Sequence, residues 1–130
     1  MAVIGGMPTS PRAARAKAGI REDLGDIYFY SRWEANFVRL LNFLDITWEY
    51  QPKTFNLMTQ NYTPDFYLPQ YDLYVEIKNF LSDYSAVRDQ KFRQLYPHLK
   101  LLLILKENYL KLQDSFAAHI PNWEYSNLGR

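Results

Sequence analysis

The chain has 130 residues, 48% of them apolar and 22% charged, with a formal charge of +1 and no cysteine. That is enough chain for one buried core, and it excludes disorder throughout, a disulfide scaffold, a cysteine zinc site and a thiol nucleophile. No apolar run approaches ~18 residues, and residues 1–7 are too short and lack the basic flank for a signal peptide, so the expectation is a soluble, cytoplasmic protein with no membrane span.

Charge is unevenly spread along the chain. Residues 1–21 carry Arg12, Arg15, Lys17 and Arg21 and no acid, whereas the remainder holds 11 basic and 14 acidic side chains. Rich also in Gly, Pro, Ala and Ser, residues 1–25 are expected to form a flexible basic arm. Such an arm either touches nucleic-acid phosphates or is only a solvated tail. Residues 26–130 are the expected folded domain. The aromatic share of 17%, with 11 tyrosines, suits an aromatic core and equally an interface or stacking surface.

The first predicted element is a helix over 31–44, in which Trp33, Phe37, Leu40, Leu41 and Leu44 recur at helical spacing. Ser31 and Glu34 match a capping box. Residues 46–55 alternate as a strand that weakens towards Pro52, since proline has no N–H for a ladder. A loop over 56–61 leads to strands over 62–68 and 73–79, whose four-residue gap predicts an antiparallel hairpin. A second helix starts at Ser82 or Asp83 and ends near Tyr96, with Tyr84, Val87, Phe92 and Leu95 expected on its inner side. The apolar run Leu101–Leu105 between Lys100 and Lys106 predicts a strand buried on both faces. As the end of a strand–helix–strand crossover, it should lie parallel to the 73–79 strand. A last helix spans about 107–118, and 121–130 is an aromatic-bearing tail. The order α-β-β-β-α-β-α predicts one α/β domain with a mixed central sheet of four to five strands flanked by helices.

Three acids and a lysine stand out from this pattern. Leu73, Val75 and Ile77 share one face of their strand, so Glu76 and Lys78 share the other. Asp65 follows Pro64 in the partner strand, where a proline breaks the ladder and re-aims a side chain towards the Glu76 region. Glu34 lies at i+3, i+4 and i+7 from Phe37, Val38 and Leu41, on the buried stripe of its helix. Singly, these residues also fit a surface ion pair, a capping box and a turn. Together they are a set of carboxylates: two at ~4 Å repel by roughly 4 kcal/mol at an effective dielectric of about 20. One lysine cannot neutralise three acids, whereas a divalent cation can, and oxygen ligands suit Mg²⁺ or Mn²⁺. Such an ion polarises a phosphoryl oxygen and lowers the pKa of bound water. Lys78 is placed to orient that water or to stabilise the developing charge. That is phosphodiester-cleaving chemistry.

Pro64-Asp65, then Glu76-Ile77-Lys78, with Glu34 upstream, resembles the signature of the PD-(D/E)XK nucleases. The runs Ser31-Arg32-Trp33-Glu34, Tyr62-Thr63-Pro64-Asp65-Phe66 and Val75-Glu76-Ile77-Lys78 are similar to small phage-type Holliday-junction resolvases, over roughly 31–106. The resemblance implies a restriction-endonuclease-like core and Mg²⁺-dependent endonuclease activity in which Mn²⁺ substitutes. It implies Asp65, Glu76 and the Ile77 backbone carbonyl as metal ligands, Glu34 completing the site or holding its water, and Lys78 as the catalytic lysine. Asn79 departs from the glycine that many relatives carry after the lysine.

The expected function is therefore a DNA endonuclease that resolves four-way junctions by paired nicks. Two nearly symmetric cuts call for a two-fold homodimer, with Leu110, Phe116 and Trp123 as contact candidates. Arg12, Arg15, Lys17, Arg32, Lys53, Arg88 and Lys91 are candidates for phosphate contacts. The alternatives are a same-fold endonuclease acting on specific or mismatched duplex, of homing or transposon type, and a catalytically silent nucleic-acid-binding module. His98 and His119 are too scattered to make a metal site.

Overall fold

Three helices and a mixed four-stranded sheet make this an α/β protein, in a computed structural model that describes residues 18–125. Arg12, Arg15 and Lys17 lie outside the described residues. The chain gathers into two compact units, one of residues 18–44 with 112–125 and the other Asp45–Lys111.

In the first unit, β1 (Gly19–Ile20) and β2 (Tyr28–Phe29) pair antiparallel, Gly19 opposite Phe29. A 3₁₀ turn over Glu22–Leu24 joins them and ends at Gly25, whose φ of +83° a side chain would strain. This corrects the expected arm over 1–25 from residue 18 onward. Composition marks residues 1–21 as small and basic, but those from 18 onward find tertiary partners: a strand for Gly19–Ile20, and for Arg21 an ion pair with Glu124 at 2.7 Å.

α1 (Arg32–Phe43) follows the predicted stripe, with Phe37, Val38, Leu40 and Leu41 buried. Leu44, placed on that stripe from the sequence, is exposed. Ser31 Oγ accepts from the Glu34 N–H at 3.1 Å, one half of the expected box. In the return half, Glu34 Oε1 accepts from the N–H of Tyr30, one residue before the N-cap.

Two polar residues, Asn36 and Arg39, are buried on the same helix. Arg39 grips Asp23 with Nε and Nη2 at 2.8 and 2.9 Å, and its Nη1 donates to Glu124 and Asn36 at 2.8 and 3.0 Å. Asn36 in turn bonds both the N–H and the carbonyl of Glu124, so the C-terminal segment is tied down by polar contacts rather than by apolar burial alone. Trp123, expected at a dimer contact, is buried instead and donates from Nε1 to Gln113 at 3.0 Å.

In the second unit, each proline-containing stretch divides at its proline. The 46–55 strand becomes β3 (Glu49–Tyr50) and β4 (Phe55–Asn56), because Gln51 turns left-handed at φ 48° before Pro52. The 62–68 strand becomes β5 (Asn61–Tyr62) and β6 (Phe66–Leu68), separated by Thr63, Pro64 and Asp65. β4 and β5 form their own hairpin, Phe55 opposite Tyr62, while β3 pairs with β6, Tyr50 opposite Phe66.

β7 (Leu73–Ile77) returns antiparallel to β6 through the predicted tight connection, Leu68 opposite Leu73. α2 (Asp83–Leu95) begins at Ser82, whose Oγ accepts from the Ser85 N–H at 3.1 Å. β8 (Lys100–Ile104) then runs parallel to β7, as the crossover requires, with Glu76 opposite Leu103. α3 (Lys106–Phe116) begins in this unit, and its C-terminal turn belongs to the first. The sheet order is β3-β6-β7-β8. β8 is thus an edge strand, and Leu102 is 45% exposed, so burial on both faces is not met. An unbroken apolar run implies two covered faces only for a central strand.

The face of α2 is also corrected. Tyr84 and Val87 are exposed at 64% and 63%, whereas Ser85, Asp89 and Phe92 are buried. The reason is aromatic packing. Phe92 is fully buried with its ring centroid 5.0 Å from Phe55, 5.5 Å from Tyr62 and 5.6 Å from Tyr96, in a cluster that also holds Tyr74, Leu57 and Leu101. Fixing Phe92 and Tyr96 inward at 3.6 residues per turn brings Arg88 and Asp89 in with them and leaves Tyr84, Val87 and Leu95 outside.

Candidate active site

The register of the hairpin sets the site. Phe66 pairs with Val75, so Asp65 precedes one member of that pair and Glu76 follows the other. Asp65 follows Pro64 with its backbone carbonyl accepting from the Gln51 N–H at 2.7 Å, and its Oδ2 accepts from the Ile77 N–H at 2.7 Å. Glu76 alternates with Val75 and Ile77 and so faces α2, on the same side of β7 as Tyr74. The sequence reading of these two acids and their faces matches the positions they occupy.

Glu76 is only 5% exposed, and a buried carboxylate needs partners. Tyr62 OH donates to Oε1 at 3.0 Å, and Arg88 Nη2 donates to Oε2 at 3.2 Å. Lys78 Nζ lies 3.9 Å from the same Oε2, while its backbone N–H donates to the Ile104 carbonyl at 3.0 Å and so extends the β7–β8 register. Burial pushes the Glu76 carboxyl above its ordinary value; Arg88, the Tyr62 hydroxyl and Lys78 pull it back without cancelling that rise. Burial and the Glu76 charge together hold the Tyr62 phenol far into its protonated form, so it serves as a donor.

Asp89, one residue beyond Arg88, was not singled out by the sequence. It is 4% exposed, and neither carboxylate oxygen has a hydrogen-bond partner among the described residues; Arg88 Nη2 is 3.7 Å from Oδ1. Burial raises its pKa, and Arg88, Arg93 and Lys78 offset only part of that. Tyr62, on β5, left no sign in the sequence, and for Asp89 the one sign is helical phase. Tyr84, Val87 and Leu95 fall on one helical stripe, about 100° away from the stripe of Phe92 and Tyr96, so the four expected inner residues could not all face inward.

Glu34 belongs to the first unit, with its carboxylate engaged at the start of α1. Arg32 Nε lies 3.9 Å from Glu124 Oε1, exposed Lys53 sits 5.1 Å from the Phe55 ring centroid, and Lys91 is half-buried on α2. Arg88, expected on a phosphate-facing surface, sits in the site at 14% side-chain exposure and 4.3 Å from the Tyr62 ring centroid.

Among the described residues, no three acidic or histidine side chains form a ready-made metal cage. The pair Asp65 and Glu76 nevertheless fits a hard cation by its donor chemistry, since Mg²⁺ binds through one or two carboxylates and takes its other oxygens from water and substrate phosphate. No helix among the described residues is long and apolar enough to cross a membrane. No protein-family model, curated protein or solved structure matches the chain.

Proposed function

We propose that this protein is a divalent-metal-dependent DNA endonuclease of the PD-(D/E)XK type, cutting four-way junctions by paired nicks as a homodimer. The observation that carries the reading is Glu76: a carboxylate almost fully buried on β7, one step past the Phe66–Val75 pair as Asp65 is on the other strand, with Lys78 at 3.9 Å. A strand that only needed to pack would carry an apolar residue there. The order of elements, with β6 and β7 antiparallel and β8 parallel after a helical crossover, is the frame the restriction-endonuclease-like core would supply.

Asp65 and Glu76 would hold the ion with the Ile77 backbone carbonyl beside them, and Mn²⁺ would replace Mg²⁺. When bound, the ion supplies Lewis-acid polarisation of the phosphoryl oxygen and a lower pKa for its water. Lys78, at 27% side-chain exposure, stabilises the charge that builds on the phosphate. Tyr62 holds the Glu76 carboxylate in orientation. Arg12, Arg15, Lys17, Arg32, Lys53 and Lys91 are the proposed phosphate contacts, which position the substrate without reading its sequence. For Glu34 a catalytic role rests on the resemblance alone.

The test is cleavage of a labelled four-way junction, a flap and a matched linear duplex with Mg²⁺, against EDTA and Lys78→Ala controls. Paired nicks in the junction only, lost in both controls, are the expected result. Cutting of duplex or flap would keep the active site and replace the substrate. Tight, metal-independent DNA binding with no cutting would replace the enzyme by a silent binding module.

A further inference from the structure

Arg88 is divided between two buried acids. Its Nη2 lies 3.2 Å from Glu76 Oε2 and 3.7 Å from Asp89 Oδ1. Its Nε and both Asp89 oxygens are buried with no hydrogen-bond partner among the described residues, so donor and acceptor capacity stand unused side by side. Native interiors rarely leave such groups unmatched, and a carboxylate takes a guanidinium bidentately when the two are aligned. The Tyr62 ring under the guanidinium offers a flat surface on which it can slide while keeping its cation–π contact.

A cation approaching Glu76 meets a difficulty. Arg88 and Lys78 already stand within 3.2 and 3.9 Å of the same Oε2, so the arriving charge is repelled unless one of them leaves. Arg88 has somewhere to go. We propose that Asp89 is the second seat of Arg88: the guanidinium neutralises Glu76 while the metal is absent and shifts onto the unbonded Asp89 carboxylate when a divalent cation takes Glu76. Arg88 and Asp89 are positioning residues in this exchange, and neither touches the substrate. The inference rests on the nuclease reading of Asp65 and Glu76.

Mn²⁺ binding to the full chain, followed by the electron paramagnetic resonance of the free ion, tests it. Asp89→Asn keeps the shape but not the charge, and should weaken Mn²⁺ binding about tenfold, within the usual range of coupling between touching groups. Arg88→Gln should bind Mn²⁺ at least as tightly as wild type, and adding Asp89→Asn to it should change nothing further. Asp89→Asn binding Mn²⁺ as wild type does would overturn the exchange alone. So would a loss that persists in the Arg88→Gln background, since Asp89 would then act on the ion itself. A folded wild-type protein that binds no Mn²⁺ would sink the nuclease reading and the exchange together. The unmutated protein gives a second readout. The Arg88 Nε–H resonance should move on titration with Mg²⁺ as it gains an acceptor, and a stationary resonance in protein that binds the ion refutes the shift.

Discussion

Arg39→Met removes the hub of the polar network in the first unit while keeping much of the side chain's volume. Arg39 is 5% exposed and makes four charge-assisted or amide bonds, two of them a fork on Asp23. Removing one partner of a fully buried pair costs about 3–5 kcal/mol, because the other charge is left uncompensated. Here the orphaned acids are partly wet, Asp23 at 30% and Glu124 at 23%, and Glu124 keeps its paired bonds from Arg21 at 2.7 and 2.8 Å. The expected loss is therefore about 2–3 kcal/mol, below the fully buried range.

Urea unfolding at neutral pH, followed by tryptophan fluorescence, measures that loss, and a pH series checks its origin. The Arg39 hydrogen bond holds the Asp23 carboxyl below its ordinary 3.8. Burial raises the Glu124 carboxyl, but the Arg21 and Arg39 bonds outweigh it and leave it below 4.5. Both folded values are depressed, so their stabilisation is complete above the ordinary values and is lost as pH falls through the folded ones. The gap between wild type and Arg39→Met should therefore be widest near neutrality and close below about pH 4. A variant as stable as wild type at neutral pH, or a gap that does not narrow in acid, would refute the network as a charge-based tie.

Phe92→Ala should cost about 3–5 kcal/mol of stability in urea, since its ring is fully enclosed by Phe55, Tyr62, Tyr74 and Tyr96; a loss below 1 kcal/mol would mean that the cluster collapses to fill the space. Asp89→Asn should raise stability at pH 7. Burial lifts the folded pKa of Asp89 above 3.8, so its charge costs stability above that folded value, and the variant's advantage should fade as pH falls through it. A destabilised Asp89→Asn at pH 7 would reverse that sign. Glu34→Gln still closes a helix cap, so it should lower cleavage more than stability; the opposite ranking would leave Glu34 as a cap only. Deleting residues 1–17, which spares Arg21 and its ion pair with Glu124, removes Arg12, Arg15 and Lys17 and should flatten the salt dependence of DNA binding by up to about 3 in the log–log slope. An unchanged slope would make that segment a tail.

What was legible in the residues was local and periodic. The α1 stripe, the tight turn between β6 and β7, the parallel return into β8 and the shared face of Glu76 and Lys78 all follow from spacings of 3.6 and 2 and from the handedness of crossovers. Proline positions foretold the breaks at Pro52 and Pro64, since a missing N–H is a property of the residue alone. The shared side of Glu76 and Lys78, and the approach of Asp65 to it after Pro64, could be argued from alternation and the ladder break, but the burial of Glu76 could not. The partners of these groups were not legible. Arg88 meets Glu76, with Asp89 beside Arg88, because Phe92 and Tyr96 rotate α2 into the aromatic cluster, and that rotation is a choice between two apolar stripes about 100° apart. Leu102 is exposed because β8 ends the sheet, and Arg21 is bound because a carboxylate 103 residues away reaches it. Periodicity fixes which side chains share a face. Only long-range packing decides which face turns inward, and with it which charges must neutralise one another.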